Sequence, residues 1–359
     1  MTDSAHMQRA LELARAALGS TAPNPAVGAV LCAPNGEVIG EGATKPVGGP
    51  HAEVVALSSA RDQGRDTVGS TLYVTLEPCC HQGRTPPCTE AILAAGVRRV
   101  VVAMEDPFHA MQGKGLQQLR DAGVEVELGL CGDQAYRVVR GFCRTLHQGL
   151  PDVTLKVAMS LDGHVATSRG ESQWVTGDLA RQHGHHLRAT HDAIMVGSGT
   201  VTTDDPRLTC RVAPFRDPVP VIMDSTGRTP SQAAVFQGSR RPVLVCGPQV
   251  QRSDGDVLHV PLCEGGVDLR VALQELGQRG LHRILVEGGP RLAASLLAAD
   301  LVDTLYVFIA PVLIPGGRPW NPAPPLQHLD DAARYGAPTI ETFGDDVLLR
   351  YDLTRSEGM

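Results

Sequence analysis

The sequence predicts two successive α/β domains, each a sheet covered by helices. The chain has 359 residues, which is beyond the size at which a single hydrophobic core keeps growing. Short apolar runs alternate with amphipathic segments in both halves, a pattern typical of layered α/β domains. The alternation breaks at "HQGLPDV", which we interpret as a linker near residue 150. We therefore expect domains at 1–148 and 152–359.

The first domain begins with a predicted helix and a hairpin. Ala10, Leu11, Ala14 and Leu18 form a helical stripe, the run "AVGAVLCA" reads as a buried strand, and Asn35-Gly36 predicts a tight turn into "EVIGEGA". The remaining pattern predicts helices at 52–61, 89–95, 114–122 and 133–146 and strands at "TLYVTLE", "RRVVVAM" and "VEVELG". These elements indicate a three-layer domain.

The second domain repeats the alternation with a new set of strands. Its strand-like runs are "VTLKVAMSLDG", "DAIMVGSGT", "PVPVIMDS", "RPVLVCG", "RILVEGG", "TLYVFIAPVLI" and a terminal "DVLLRYDL". Helical segments are expected near 178–190, 268–278 and 291–299. The Pro-rich stretch 315–338 is expected to be a long surface excursion.

Composition narrows the class of protein. The net charge is -7 and no basic run follows the chain, so a nucleic-acid partner is disfavoured. The first residues lack the uninterrupted apolar core of a signal peptide, and no stretch reaches the roughly 18 apolar residues of a membrane span. We therefore expect a cytoplasmic protein. Three of the nine cysteines, Cys32, Cys210 and Cys246, lie in apolar strand-like runs, as reduced core thiols do.

A catalytic zinc site is indicated by two fragments, "GPHAEVVAL" and "TLEPCCHQGRTPPC". His51, Cys79 and Cys88 would fill three tetrahedral positions and leave the fourth for water, whose pKa the metal lowers to about 7. Glu53, two residues after His51, is placed to transfer protons. In zinc nucleobase deaminases a glutamate that does not bind the metal has this role. The spacing differs, because eight residues separate Cys79 from Cys88 instead of two.

Two other interpretations of these cysteines are less favoured. A structural zinc with Cys80 or His81 as fourth ligand is one of them, but a closed site needs no carboxylate beside its histidine. Unliganded core thiols fit poorly, since three prolines stiffen a polar loop here. We also reject a metal at "HGHHLR", where no carboxylate or thiol completes His183, His185 and His186.

The fragments "TAPNPAVGAV", "HAEV" and "TLEPCCHQGRTPPC" resemble the deaminase half of the bifunctional riboflavin-biosynthesis deaminase-reductase family, in which the longer loop between the cysteines is typical. The resemblance implies a cytidine-deaminase-like domain in which Asn24, His81 and Arg84 contact the pyrimidine or the ribose phosphate. Asn24 also reads as a turn residue between prolines, and Arg84 as a solvated charge. Thr44 stands where relatives often have histidine, so the contact expected there is in doubt.

The fragments "LKVAMSLDGHVA", "GESQWVT", "GSGTVTTDDPRLTCR" and "VEGGP" follow in this order and resemble the reductase half of the same family, which has a dihydrofolate-reductase-like fold. The implied NADPH contacts are Ala158, Trp174, Thr200, Asp204, Ser225, Gly289, Pro290, Arg291, Leu292, Ala293, Ala294 and Ser295. The implied substrate contacts are Ser172, Arg188, Leu208, Arg211 and Glu287.

Residue chemistry agrees with these assignments. The turn Gly288-Gly289-Pro290 would let backbone N–H groups approach a pyrophosphate, although such a turn alone is weak evidence because it can simply join a strand to a helix. Arg188 and Arg211 could bind a phosphate, or be ordinary surface charges. Lys156 lies in an apolar strand, where an unpaired ammonium is costly. We expect it to polarise or protonate the opened sugar during hydride transfer.

Together these features predict two steps of riboflavin biosynthesis. The first domain would deaminate a diaminopyrimidinone ribosylamine phosphate with Zn²⁺, and the second would reduce its ribosyl group with NADPH, in a cytoplasmic homo-oligomer. A tRNA deaminase is the first alternative, but the acidic chain lacks a surface for phosphates. A non-catalytic nucleotide-binding protein is the second, and Glu53 and Lys156 argue against it.

Overall fold

The computed structural model describes residues 2–83, 85–108 and 111–353. The chain divides into two compact units, Met1–Gly149 and Leu150–Met359. Among the described residues, no helix is both long and apolar enough to cross a membrane.

The first unit contains one five-stranded sheet in the order β2-β1-β3-β4-β5. β1 is antiparallel to both of its neighbours, whereas β3, β4 and β5 run parallel to one another. The elements in chain order are α1 (Asp3–Ala17), β1 (Gly28–Cys32), β2 (Val38–Ala43), α2 (Ala52–Asp62), β3 (Thr71–Val74), α3 (Cys88–Ala94), β4 (Arg99–Val102), α4 (Lys114–Asp121), β5 (Glu125–Leu128) and α5 (Gly132–Gln148).

Helices cover both faces of this sheet. In β3, Leu72 and Val74 pack with the buried side chains of α2, α3 and α4, and Tyr73 between them packs with those of α1 and α5. α1 approaches β1 so closely that a Cβ on Gly28 would lie 1.9 Å from the carbonyl oxygen of Ala10. The three-layer arrangement expected from the sequence is confirmed.

The second unit contains a nine-stranded sheet in the order β11-β10-β9-β8-β14-β6-β15-β18-β17. β18 and β17 are antiparallel to their neighbours, and the other strands are parallel. The elements are β6 (Asp152–Ser160), β7 (His164–Ala166), α6 (Asp178–Ala189), β8 (Ala193–Gly197), α7 (Ser198–Asp204), β9 (Val219–Met223), β10 (Val243–Cys246), β11 (Asp256–His259), β12 (Leu262–Cys263), β13 (Gly266–Val267), α8 (Leu269–Gln278), β14 (Arg283–Val286), α9 (Pro290–Ala298), β15 (Thr304–Ala310), β16 (Arg318–Pro319), β17 (Thr339–Phe343) and β18 (Asp346–Asp352).

The core of this unit also lies on both faces of the sheet. α8 and α9 bury Leu273 and Leu296 in one large apolar cluster. On the other side, α7 buries Val201 with residues of β8, β9 and β10, and α6 buries Leu187 with Phe308 of β15. The carboxyl ends of β6, β14, β8, β9 and β10 therefore share one edge, where ligands of α/β sheets bind.

The structure differs from the sequence-based expectations at several boundaries, and the strands β7, β11, β12, β13 and β17 were not predicted. The predicted strand "DAIMVGSGT" ends at Gly197, and α7 follows it. The predicted strand "TLYVFIAPVLI" ends at Ala310, because Pro311 cannot donate a ladder hydrogen bond. α5 extends to Gln148 and is capped by Gly149 in the left-handed conformation, which shortens the linker to residues 149–151. The Pro-rich excursion is mostly exposed but contributes β16, which pairs with β7.

Candidate active sites

The predicted zinc ligands lie together at one edge of the first sheet. His51 is the residue that precedes α2, with extended backbone and no side-chain capping bond. Cys79 lies in the segment that follows β3, and Cys88 is the first residue of α3. Two helix starts and one strand end thus bring an imidazole and two thiols to one place. Within the described part of the chain, they form the only cluster of histidine, cysteine and acidic side chains able to hold a metal ion.

The distances in this cluster fit a zinc ion. His51 Nδ1 lies 3.5 Å from Cys79 Sγ and 3.4 Å from Cys88 Sγ, and the three ligand atoms are all within 4.8 Å of one another. Zn–N bonds of about 2.0 Å and Zn–S bonds of about 2.3 Å place a tetrahedral N···S pair about 3.5 Å apart. A hydrogen bond from Cys88, followed by one from His51, lowers the pKa of Cys79 to about 4, so this sulfur is ready to bind a cation.

Glu53 lies beside the three ligands in the first turn of α2 and is only 3 % exposed. Burial, together with the nearby charge of Cys79, raises the pKa of its carboxyl to about 7. Its carboxyl also shares a hydrogen bond with Cys88. A carboxyl that titrates near neutral pH can both accept and release a proton under physiological conditions.

Three neighbouring residues were missed by the sequence analysis. Thr85 Oγ1 lies 3.4 Å from His51 Nε2, which leaves Nδ1 to face the sulfurs, as hydrogen bonds to the second ring nitrogen do in metal sites. Glu77 is buried and accepts four backbone N–H bonds from residues 106–116. Asp106 lies within electrostatic range of Cys79 and His81, and burial raises its pKa. Carboxylates within about one turn after the ends of β3 and β4 are the signal that could have indicated Glu77 and Asp106.

The other residues predicted for the first site have different surroundings. Asn24 is half-buried, and its backbone N–H donates to the carbonyl of Thr21, which is a turn contact. His81 is exposed in a bend, and Arg84 lies outside the described residues. The Thr44 hydroxyl is buried and lies within hydrogen-bond distance of the backbone of Val27. Thr44 therefore makes a contact within the fold.

In the second unit, three predicted residues form a buried charged group. Arg188 of α6 donates Nε to Glu287 Oε1 at 2.8 Å and Nη2 to Glu287 Oε2 at 2.9 Å, with side chains 18 % and 12 % exposed. Burial would raise the pKa of Glu287, but the charge and hydrogen bonds of Arg188, with the charge of Lys156, lower it to about 2. Lys156 lies 5.7 Å from the centre of the Phe308 ring, and burial lowers its pKa.

The pairing of Arg188 and Glu287 occupies hydrogen-bonding groups that each residue could otherwise use to bind a substrate. Nη1 of Arg188 also donates to the carbonyl of Thr209 at 3.0 Å, so this guanidinium is already held on three sides. Arg211 is exposed, with a left-handed backbone at φ 56°. Leu208 is buried in a core cluster, so only its backbone could contact a substrate. Ser172 is half-buried in the segment before α6.

The residues predicted to contact NADPH surround the shared edge of the second sheet. Gly289 precedes α9 and makes no side-chain capping bond, and no acidic residue lies in the first turn. The free N–H groups of that turn fit a pyrophosphate. The side chain of Ala293 is buried in the core, whereas Arg291 and Ser295 are exposed and Pro290, Leu292 and Ala294 are half-buried.

Further predicted contacts lie on neighbouring elements. A Cβ atom built on Gly289 would lie 3.5 Å from Thr200 Oγ1. The turn after β14 is therefore close to α7. Asp204 ends α7, and Ala158 is half-buried in β6. Trp174 is 68 % exposed, and the Arg181 guanidinium stacks 4.8 Å from the centre of its ring.

The "HGHHLR" segment lies within α6. His183 packs 4.6 Å from the ring of Phe343 and 5.9 Å from that of Phe308. His185 is half-buried, near Arg188 and Arg211. The side chain of His183 is therefore part of an aromatic cluster and does not face solvent freely.

Comparisons with known proteins identify both units. Residues 1–104 match the cytidine and deoxycytidylate deaminase zinc-binding region, and residues 151–349 match the RibD C-terminal domain. The chain is 41 % identical to the riboflavin biosynthesis protein RibD of Haemophilus influenzae, over 97 % of both chains. It is 39 % identical to RibD of Escherichia coli, over 97 % of this chain and 99 % of that one.

Solved structures are similar to the chain over nearly its full length as well. Acinetobacter baumannii RibD superposes with a TM-score of 0.89 at 38 % identity, covering 98 % of this chain and 99 % of that one. A diaminohydroxyphosphoribosylaminopyrimidine deaminase/5-amino-6-(5-phosphoribosylamino)uracil reductase from Thermotoga maritima superposes with a TM-score of 0.88 at 33 % identity, covering 98 % of each chain.

Fold and site together define a zinc-binding deaminase domain joined to a reductase domain. The chain belongs to the RibD family. It is a bifunctional deaminase and reductase of riboflavin biosynthesis, with zinc and NADPH as its cofactors. The cytidine-deaminase-like first domain and the reductase-type second domain expected from the sequence are confirmed.

Proposed function

We propose that residues 1–148 remove the 2-amino group of 2,5-diamino-6-(5-phosphoribosylamino)pyrimidin-4(3H)-one as ammonia. Residues 152–359 then reduce the ribosyl group of the product, which gives 5-amino-6-(5-phosphoribitylamino)uracil. The observation that carries the first step is the triangle of His51, Cys79 and Cys88 with the buried Glu53 beside it.

In the first site, His51, Cys79 and Cys88 would hold zinc, which would supply a water activated for attack on carbon 2 of the pyrimidine. Glu53 would accept a proton as the C–O bond forms and deliver it to the amino group, which leaves as ammonia when the C–N bond breaks. The raised pKa of Glu53 suits this exchange, because the carboxyl is then neither permanently charged nor permanently protonated near neutral pH. Thr85 keeps the His51 ring in one orientation.

Substrate binding at the first site is assigned to Asn24, His81 and Arg84. This assignment rests on the family resemblance. His81 and Cys79 both interact with the Asp106 carboxyl, which supports a place for His81 at the rim of the metal site.

In the second site, NADPH supplies the hydride. Lys156 donates a proton to the opened sugar as the hydride arrives. Burial lowers its pKa, so the ammonium gives up its proton more readily than an exposed lysine. The carboxylate of Glu287 lies close enough to counter this shift and keeps the charge near the substrate. Arg188 fixes Glu287 through two hydrogen bonds.

The remaining substrate contacts at this site are Ser172, Arg211 and the backbone of Leu208. NADPH would be held by Ala158, Trp174, Thr200, Asp204, Ser225 and residues 289–295, with its phosphates at the start of α9. The uncapped start of α9 supports the placement of the phosphates.

The enzyme is proposed to work in the cytoplasm as a homo-oligomer that uses NADPH and takes no nucleic-acid substrate. The net charge of -7 supports the last statement, because polynucleotide binding relies on basic surface.

The test supplies the diaminopyrimidinone ribosylamine phosphate to zinc-loaded enzyme with NADPH and follows ammonia and nicotinamide absorbance in one reaction. We expect one ammonia released and one NADPH oxidised per substrate, with ammonia appearing even when NADPH is omitted. NADPH oxidation without ammonia release, or no reaction of either kind, would contradict the proposal.

A further inference from the structure

Arg228 lies on the loop that follows β9, at the sheet edge where the NADPH residues are gathered. The backbone of this loop is fixed by Asp224, whose carboxyl group is completely buried. Asp224 accepts the N–H of Arg228 at 3.0 Å and both the N–H and the hydroxyl of Thr229, at 2.8 and 2.6 Å. The position of Arg228 is therefore set by the fold.

The side chain of Arg228 crosses to the neighbouring strand. Its Nε donates to Ser198 Oγ at 2.9 Å, and Ser198 is the first residue of α7, two residues before Thr200. This bond ties the side chain of Arg228, after β9, to the start of α7, which follows β8, the parallel neighbour of β9.

The charge of Arg228 has no acidic partner. By contrast, Arg188 pairs with Glu287 and Arg279 pairs with Asp256. Among the described residues, no ion pair includes Arg228, and its side chain is exposed. An exposed, oriented guanidinium with its Nη donors unpaired is suited to bind a phosphate in a bidentate manner.

The segments around Ser225 approach one another closely because two of them have glycine at the point of contact. A Cβ on Gly266 would lie 2.8 Å from Ser225 Oγ, and a Cβ on Gly247 would lie 2.9 Å from the Ser225 carbonyl oxygen. Ser225 Oγ also accepts the N–H of Val267 at 3.1 Å. The segments after β9 and β10 and the strand β13 therefore meet at Ser225, three residues before Arg228.

The order of the strands places Arg228 at the adenosine end of the cofactor. Lys156 on β6 marks the reacting end, the turn after β14 marks the pyrophosphate, and β8 and β9 follow in that direction. With strands about 4.8 Å apart, β9 lies about 10 Å beyond β14. The adenosine ribose extends over this distance from the pyrophosphate.

We propose that Arg228 binds the 2′-phosphate of the adenosine ribose and thereby makes the reductase select NADPH over NADH. The inference rests on the proposed function of the second domain. NADH carries a neutral hydroxyl at the 2′ position, so it gains nothing from this guanidinium.

The experiment measures the binding of 2′,5′-ADP and of 5′-ADP to the full-length protein by calorimetry, for the wild type, R228A, R228Q and R228K. R228A and R228Q are expected to weaken 2′,5′-ADP binding by about 10- to 100-fold and to change 5′-ADP binding by less than threefold. R228K is expected to lose less, because it keeps the charge but not the fork of donors. The control variant R279A removes a paired arginine and should alter neither nucleotide.

Steady-state kinetics provide a second readout. R228A should raise the KM for NADPH by the same factor and leave kcat within about twofold, so that the preference for NADPH over NADH falls. Equal loss for both nucleotides, or an unchanged preference in R228A and R228Q, would overturn the assignment while leaving the reductase function intact. Failure of the wild type to oxidise NADPH would contradict the proposed function, and the binding of 2′,5′-ADP would still decide the role of Arg228.

Discussion

Replacing Glu77 with alanine tests how the metal site is held in place. Glu77 Oε1 accepts the buried N–H groups of Gly115 and Leu116 at 2.8 and 3.3 Å, and Oε2 accepts those of Asp106 and Gly113 at 3.0 and 2.9 Å. Cys79 follows two residues later. This one carboxylate therefore ties the segment before the ligand to the start of α4.

The cost of the Glu77→Ala substitution can be worked out from these four bonds. Two donors are buried and would remain unsatisfied at about 1–3 kcal/mol each, whereas the two half-buried donors can bond to water at a smaller loss. We expect a total of about 3–5 kcal/mol. Since about 1.4 kcal/mol is a factor of ten, local opening of this segment should increase roughly a hundred- to several-thousand-fold.

Hydrogen exchange measured by mass spectrometry on zinc-saturated protein reads this opening directly, because the amides of Gly113, Gly115 and Leu116 lose their acceptor. Both tryptophans, Trp174 and Trp320, lie in the second unit, so their fluorescence should show an unchanged unfolding transition there. Glu77→Gln keeps one acceptor oxygen and should cost less. Glu90→Ala removes an exposed carboxylate and should change stability by at most about 0.5 kcal/mol. Unchanged exchange in Glu77→Ala would refute the reasoning.

Two further substitutions separate the two activities, and a third tests the buried ion pair of the second unit. Glu53→Gln should retain zinc but lower ammonia release by roughly 100- to 10,000-fold, because the proton carrier is lost; near-normal deamination would remove Glu53 from its role. Lys156→Ala should impair NADPH oxidation by a similar factor and spare ammonia release, so a normal reduction rate would count against Lys156 as the proton donor. The third is Glu287→Gln. The folded-state pKa of Glu287 is lowered to about 2 from its ordinary 4.5, so its charge stabilises the fold fully above pH 4.5 and progressively less as the pH falls towards 2. The variant should lose stability less steeply over that window in acid unfolding curves; equal slopes would contradict a stabilising pair with Arg188.

The sequence predicted the residue types of the first site because its chemistry is concentrated in short fragments. "HAE" and "PC" lie at a helix start and after a strand, so the periodic pattern by itself places them at one edge of the sheet. Thr85 and Glu77 were missed because their roles depend on what the fold brings to them, His51 in one case and the backbone of residues 106–116 in the other.

The second unit was harder to predict for physical reasons. The pairing of Arg188 with Glu287 joins residues 99 positions apart, which no local pattern reveals. The pattern predicts α7 as part of a strand because "SGTVTTD" consists largely of glycine and β-branched residues with low helix propensity; burial of Val201 against β8, β9 and β10 stabilises the helix instead. β17 forms the last strand of the sheet and is largely exposed, so its sequence lacks the apolar alternation of a core strand.

The central claim is that His51, Cys79 and Cys88 hold one catalytic zinc ion. Elemental analysis of purified wild type and Cys88→Ala, each before and after dialysis against a chelator and return of zinc, tests it most directly. The account predicts about one zinc per wild-type chain, little in Cys88→Ala, and ammonia release that falls and recovers with the metal. A wild type that neither contains nor takes up zinc, or a fully loaded Cys88→Ala, would contradict it.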